Sequence, residues 1–310
     1  MNKQITERIF ETSNIPAELL TEKPEFPKKV KIEVTSRCDL NCFFCSRTYK
    51  NIKKGDIDKK LLFRIICEMK DLDVKEIGLF WLGEPLLVKE LPAYIEFTKK
   101  TGIDYVFITT NGRLANPQKI KELFNSGLDS IKFSINSGDR KQYYKVCGVD
   151  AFDKVISNVR FAYQCRGDNK RPAIYASTIF DLDNRNDFDK VHGLIGSYVD
   201  QHYPLRLYGQ YTFTEEEEER FKLANDKVVQ RRTLESMLPC WSLFTEPHIS
   251  FDGYMSACYC DHDEKFYMGN LNEMSLIEAW QSKKFMSLRK SHLSKDVKGQ
   301  VCENCIAYKH

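Results

Sequence analysis

Short strand-like runs alternate with longer helix-like stretches through the first two thirds of the chain. Residues 30–35 alternate apolar and polar positions, the period of a strand with one buried face. Residues 57–72 then show the three-and-four spacing of an amphipathic helix. The pairing repeats, with strands at 76–82, 105–109, 130–135, 173–179 and 205–208, and helices at 87–101, 117–126, 151–165 and 187–199. Short strands separated by longer helices imply right-handed βαβ units and a parallel sheet. Six units of this kind predict an α/β fold, a partial (β/α)6 barrel of TIM type.

Outside that region the pattern changes. Residues 1–29 read as a helix over 6–20 and an extended lead-in with Pro24 and Pro27. The periodic signal stops near Gln210, and a glutamate-rich run at 215–220 opens a helix reaching about residue 238, a solvated bridge. In the C-terminal part, Gly253 separates two strand-like runs, a hairpin, and 276–293 reads as a helix with Trp280 and Phe285 on its apolar side. The expected division is 1–29, 30–211, 212–238 and 239–310, the last a small α+β module of hairpin plus helix.

Composition narrows the class. The chain has 310 residues, 42% hydrophobic and 29% charged, the proportions of a soluble globular protein. A net charge of +3 is too balanced to make nucleic acid or an anionic membrane the main partner. The first thirty residues lack the apolar core of a signal peptide, and no apolar run approaches membrane-spanning length, so a cytoplasmic protein is expected. In that compartment thiols stay reduced, yet the chain carries 11 cysteines. Cys67, Cys147 and Cys165 are scattered; the others gather in two regions.

The first region is Cys38-Asp39-Leu40-Asn41-Cys42-Phe43-Phe44-Cys45, directly after the first strand. In parallel α/β folds the chemistry lies at the carboxyl ends of the strands. Three thiolates this close can hold three corners of a [4Fe–4S] cluster and leave one iron open. A zinc knuckle would show paired C-x2-C spacings and a fourth ligand, whereas the nearest histidine is His192. A disulfide framework does not suit a long chain without a signal peptide.

The C-x3-C-x2-C spacing resembles that of radical S-adenosylmethionine (SAM) enzymes, and the resemblance extends along the chain. Leu82-Gly83-Glu84-Pro85 is similar to the family's Gly-Gly-Glu-Pro motif, with Leu82 replacing the first glycine. Thr109-Thr110-Asn111-Gly112 resembles its Thr-Asn-Gly turn, and Ser134-Ile135-Asn136 ends the fourth strand. The resemblance implies a radical SAM barrel in which Cys38, Cys42 and Cys45 hold the radical-generating cluster. It also implies SAM contacts from Phe44, Gly83, Glu84, Thr110, Asn111, Ser134 and Asn136. Reductive cleavage of SAM would give a 5′-deoxyadenosyl radical that takes a hydrogen atom from substrate. The electron would come from a flavodoxin or ferredoxin.

The second region holds Cys240, Cys258, Cys260, Cys302 and Cys305. Cys240, Gly253 and Cys258 match the opening of SPASM modules and their shortened twitch form. That resemblance implies a second [4Fe–4S] cluster on Cys240, Cys258, Cys302 and Cys305, with Cys260 an alternative to Cys258 or a free thiol. The same four cysteines would also suit zinc. Twitch-type dehydrogenases of aminocyclitols share the Cys-x17-Cys spacing, which implies an oxidoreductase acting on a sugar- or cyclitol-like metabolite. The alternative is crosslinking or epimerisation of a ribosomal peptide; a third reading is an electron carrier. Cys147, expected in the loop after the fourth strand, is a candidate hydrogen donor. Arg206, Tyr208 and Glu246 are candidate bases.

Overall fold

The computed structural model describes residues 3–49, 52–180, 186–206, 238–261, 264–303 and 305. Its frame is one nine-stranded sheet in the order β6-β5-β4-β3-β2-β1-β7-β8-β9. The strands β1 (Lys29–Ile32), β2 (Glu76–Gly78), β3 (Tyr105–Thr110), β4 (Ser130–Ser134), β5 (Ala173–Phe180) and β6 (Gln201–Arg206) run parallel in sequential order. This is the expected partial barrel. The helices of this region are α1 (Ile5–Ser13), α2 (Ser46–Tyr49), α3 (Lys59–Asp71), α4 (Leu91–Lys100), α5 (Pro117–Asn125), α6 (Arg140–Cys147), α7 (Phe152–Arg166) and α8 (Asn186–Ile195). The helix expected near 212–238 lies outside the described residues, as does Tyr208.

Local chemistry explains these elements. α3 begins at Asp58, whose carboxylate accepts the Leu61 N–H at 2.9 Å. It buries Leu61, Leu62, Ile65, Ile66 and Met69 in the core. Each such side chain stabilises the fold by about 1.5–3 kcal/mol, so packing rather than propensity holds the helix. α1 stops at Ser13, because Pro16 has no N–H to continue it. It lies across the N-terminal ends of the strands: Gln201 Nε2 donates to Thr6 Oγ1 at 2.8 Å and Tyr175 OH to the Lys3 carbonyl at 3.1 Å.

Several elements depart from the sequence pattern. The helix expected from 87 starts at Leu91, after a single 3-10 turn at Pro85–Leu87. β6 starts four residues earlier than expected, and Pro204 is tolerated because β6 is an edge strand. The stretch read as a loop after β4 contains α6, capped by the Asp139 carboxylate at one end and by Gly148 at φ +72° at the other. Cys147 is therefore the last residue of a helix and is buried.

The C-terminal residues form β7 (His248–Ile249), β8 (Tyr254–Ser256) and β9 (Tyr267–Asn270), an antiparallel meander with Gly253 in the first turn. The helix expected over 276–293 is two, α9 (Leu276–Trp280) and α10 (Lys283–Leu293), because the Ser282 hydroxyl accepts the Phe285 N–H and starts the second. Trp280 and Phe285 are fully buried. β7 pairs in parallel with β1, so the C-terminal part continues the barrel sheet. Among the described residues no helix is long and apolar enough to cross a membrane.

Candidate active site

Cys38, Cys42 and Cys45 sit on the loop that leaves the carboxyl end of β1. The Asn41 and Phe43 amides donate to the Cys147 and Val146 carbonyls, each at 3.0 Å. Those carbonyls end α6 and have no partner within the helix, so the loop caps the helix and the helix fixes the loop. The Cys45 N–H donates to the Cys42 carbonyl at 3.0 Å, which closes the C-x2-C turn. Burial pushes the Cys38 thiol up to about 12 and the Cys45 thiol up to about 11. The Cys42 thiol is also raised, first by its hydrogen bond with Cys147 and then by burial. Cys147 thus touches the triad, a contact invisible while its segment reads as a loop.

The β2 loop is pressed against this one. A Cβ on Gly83 would lie 2.0 Å from the Thr35 carbonyl oxygen and 2.7 Å from that of Arg37, so only glycine fits. The Glu84 N–H donates to the Arg37 carbonyl at 2.8 Å. The Glu84 carboxylate is buried and accepts from Thr110 Oγ1 at 2.7 Å, the Asn111 N–H at 2.7 Å and the Leu86 N–H at 3.0 Å. Burial raises its pKa to about 7, in opposition to those three donors. Glu84 therefore braces the β2 loop to the end of β3.

The Asn111 side chain turns back to the cysteine loop. Its Nδ2 donates to Asp39 Oδ1 at 2.8 Å and lies 4.0 Å from Cys38 Sγ. Arg113 Nη1 donates to the other Asp39 oxygen at 2.8 Å. Asp39 is a site residue that sequence reasoning missed; its only signal was a carboxylate directly after the first cysteine. Direct contacts thus join Cys38, Gly83, Glu84, Thr110 and Asn111 into one assembly. Ser134 stands half-buried at the end of β4, and the Asn136 side chain accepts the Ile179 N–H at 3.2 Å. The Phe44 ring packs edge-on against Phe43.

The second cysteine set gathers from distant positions. The Cys302 thiol is raised by burial and then by Cys258, Cys240 and Cys305, so all four share one neighbourhood. The Cys305 N–H donates to the Cys302 carbonyl at 3.0 Å, the same turn as Cys42–Cys45. The Cys240 N–H donates to His292 Nδ1 at 3.2 Å, and Ser242 Oγ to the Ala257 carbonyl at 3.0 Å, fixing the Cys240 and Cys258 segments together. The Cys260 N–H donates to Cys258 Sγ at 3.3 Å, which makes Cys260 a fifth thiol here. Tyr259, between them, accepts Trp81 Nε1–H on its carbonyl at 2.7 Å and stacks on Trp241. Trp81 precedes Leu82-Gly83-Glu84, so the two cysteine regions meet through this bond.

Glu246 is no free base. It is buried and paired with Lys31 at 2.7 Å and Lys29 at 3.0 Å. Burial alone would raise its carboxyl, but the two lysines hold it well below the usual range. The Arg206 side chain lies outside the described residues.

The donor chemistry fits iron–sulfur ligation. Both regions offer half-buried or buried thiols with raised pKa, which iron would hold as thiolates. Among the described residues no three His, Cys, Asp or Glu side chains converge as ligands of one ion must; ligands to separate irons of a cluster stand farther apart.

Comparison with known proteins agrees with this geometry. The family model of the Radical SAM superfamily matches residues 32–195, and that of the SPASM iron–sulfur cluster-binding domain matches residues 240–306. An uncharacterised protein of Methanocaldococcus jannaschii is 36% identical over 132 residues, 42% of each chain. The GTP 3′,8-cyclase of Chlorobaculum tepidum is 34% identical over 127 residues, 41% of this chain and 38% of that one. The chain thus matches about two fifths of the length of these curated relatives. Among solved structures, BtrN in complex with AdoMet and 2-DOIA superposes with a TM-score of 0.57 at 18% identity, over 90% of this chain and 92% of that one. Streptococcus suis SuiB bound to S-adenosylmethionine gives 0.67 at 17%, over 86% and 68%. The strand-end cysteine loop, the loops braced against it and the family match over more than half of the chain lead to one conclusion: the chain belongs to the radical SAM superfamily and ends in a SPASM iron–sulfur cluster-binding domain.

Proposed function

We propose that this protein oxidises a small polar metabolite, sugar- or cyclitol-like, by abstracting a hydrogen atom from it, with an auxiliary cluster as electron acceptor. The observation that carries the reading is the pairing of two thiol sets in one sheet: three cysteines on one loop, and four gathered beside the SAM-side loop through Trp81 and Tyr259. Cys38, Cys42 and Cys45 would hold one [4Fe–4S] cluster, and Cys240, Cys258, Cys302 and Cys305 a second. Together with SAM these groups would supply a 5′-deoxyadenosyl radical and a sink for one electron.

The chain's own residues set the geometry. α6 and Asn111 fix the cysteine loop, and Glu84 ties the β2 and β3 loops into one cradle for the methionyl end of SAM. Ser134, Asn136 and Phe44 would complete the SAM site. Substrate would lose one hydrogen atom to the radical, one proton to solvent through a base, and one electron to the second cluster. A ferredoxin- or flavodoxin-type donor would supply the electron that cleaves SAM.

The test is anaerobic reconstitution with iron and sulfide, followed by dithionite and SAM. Formation of 5′-deoxyadenosine is expected, with about eight irons per chain if both clusters assemble. No 5′-deoxyadenosine from iron-replete protein would overturn the reading.

A further inference from the structure

The barrel interior holds a partly open cavity of about 150 Å³ beneath α1, lined from the N-terminal ends of the strands up to Thr109 and Lys132. Its wall includes Arg8, Lys29, Lys31 and Lys132 but only one carboxylate, Glu76. Glu76 is taken by Arg8, and Glu246, behind the wall, is shared by Lys29 and Lys31. Lys132 has no acidic partner among the described residues. The charge around it is repulsive, since Lys31 lies near enough to feel its ammonium. Its Nζ stands over the Tyr203 ring, 5.9 Å from the centroid. Four cations therefore face two carboxylates in a space walled mainly by rings and hydroxyls.

We infer that this cavity holds the anionic end of the substrate, a carboxylate or phosphate group paired with Lys132 and Lys31. An unpaired ammonium in a half-buried site is costly, and an incoming anion offsets that cost while gaining hydrogen bonds from it. Burial lowers the Lys132 pKa to about 8, so the side chain is still mainly charged at neutral pH. The position is also right for a substrate tether. Lys132 lies two residues before Ser134 on β4, about 7 Å deeper along the strand at 3.3 Å per residue. A molecule anchored at Lys132 would present its far end level with Ser134 and the loops of Gly83 and Asn111. The inference rests on the proposed SAM site at those loops, and it narrows the substrate from polar to anionic.

Competitive acetylation tests it on the reconstituted protein. Acetic anhydride labelling of Lys132 is followed by peptide mass spectrometry, with exposed Lys100 as internal standard. Inorganic pyrophosphate, succinate and chloride are compared at equal ionic strength. Slowing of Lys132 acetylation at least about fivefold, with Lys100 unchanged, is expected from pyrophosphate if the group is a phosphate and from succinate if it is a carboxylate. No protection by either, or equal protection by chloride, overturns the inference. Calorimetric binding of the protective anion should be lost in Lys132→Met; retained binding would also overturn it. SAM cleavage by the unsubstituted protein is measured on the same preparation. Normal cleavage with no anion binding removes only this inference, whereas no cleavage removes the reading beneath it.

Discussion

The two cysteine regions close the same C-x2-C turn but are assembled in opposite ways. Cys38, Cys42 and Cys45 lie on one loop, and the end of α6 holds that loop in place. Cys240, Cys258, Cys302 and Cys305 come from separate segments that only packing brings together. A local set can lose a ligand with little effect on the surrounding fold. A dispersed set is itself a staple, because cluster binding and folding are then one equilibrium. On the proposed function, the first region would serve reactivity and the second permanence.

The largest expected effect comes from the local set. Replacing Cys38, Cys42 and Cys45 by Ala should reduce 5′-deoxyadenosine formation to background and leave about half the iron, with an unchanged circular dichroism spectrum. A collapse of secondary structure would erase the contrast. Cys302→Ala should lose the other half of the iron and also render the C-terminal residues sensitive to protease. If iron falls but protease resistance stays, the second set is no staple.

The seam between the regions should be next in size. Glu246→Gln leaves Lys29 and Lys31 without their carboxylate, and urea unfolding should register a loss of about 3–5 kcal/mol. Because the Glu246 carboxyl is held below its ordinary 4.5, its contribution is complete above that pH and is lost as pH falls through the lowered value. Acid unfolding of Glu246→Gln should therefore be shallower than that of the unsubstituted chain. The smallest effect is expected from Trp81→Phe, which removes the bond to the Tyr259 carbonyl. Stability should fall by about 1 kcal/mol, and a larger drop in substrate turnover than in SAM cleavage would show that the bond aligns the two regions.

Much of this was legible in the sequence. Alternating apolar positions mark β1 and β4, short apolar runs mark β3 and β5, and cysteine spacing marks both thiol sets. α6 was hidden because Arg140-Lys141-Gln142-Tyr143-Tyr144-Lys145 reads as polar, although Asp139 and Gly148 are good caps. Only the end of β6 shows in the pattern, since Pro204 argues against a strand unless it lies at a sheet edge. Asp39 and Glu246 gain their roles from partners far along the chain, and local pattern carries no trace of such pairs. Glu84 was legible as a motif residue, but its use as a brace depends on where Thr110 and Asn111 fall.

The parallel pairing of β1 with β7 has a consequence for synthesis. β1 leaves the ribosome well before β7, which follows only after about two hundred further residues. Through that interval the Lys31 and Glu33 amides, which finally donate to the Pro247 and Ile249 carbonyls, line a bare strand edge. Lys29 and Lys31 lie on that edge, and charge on a waiting edge repels unwanted strands. The lysines that later grip Glu246 thus place charge on the nascent sheet's open edge until β7 arrives.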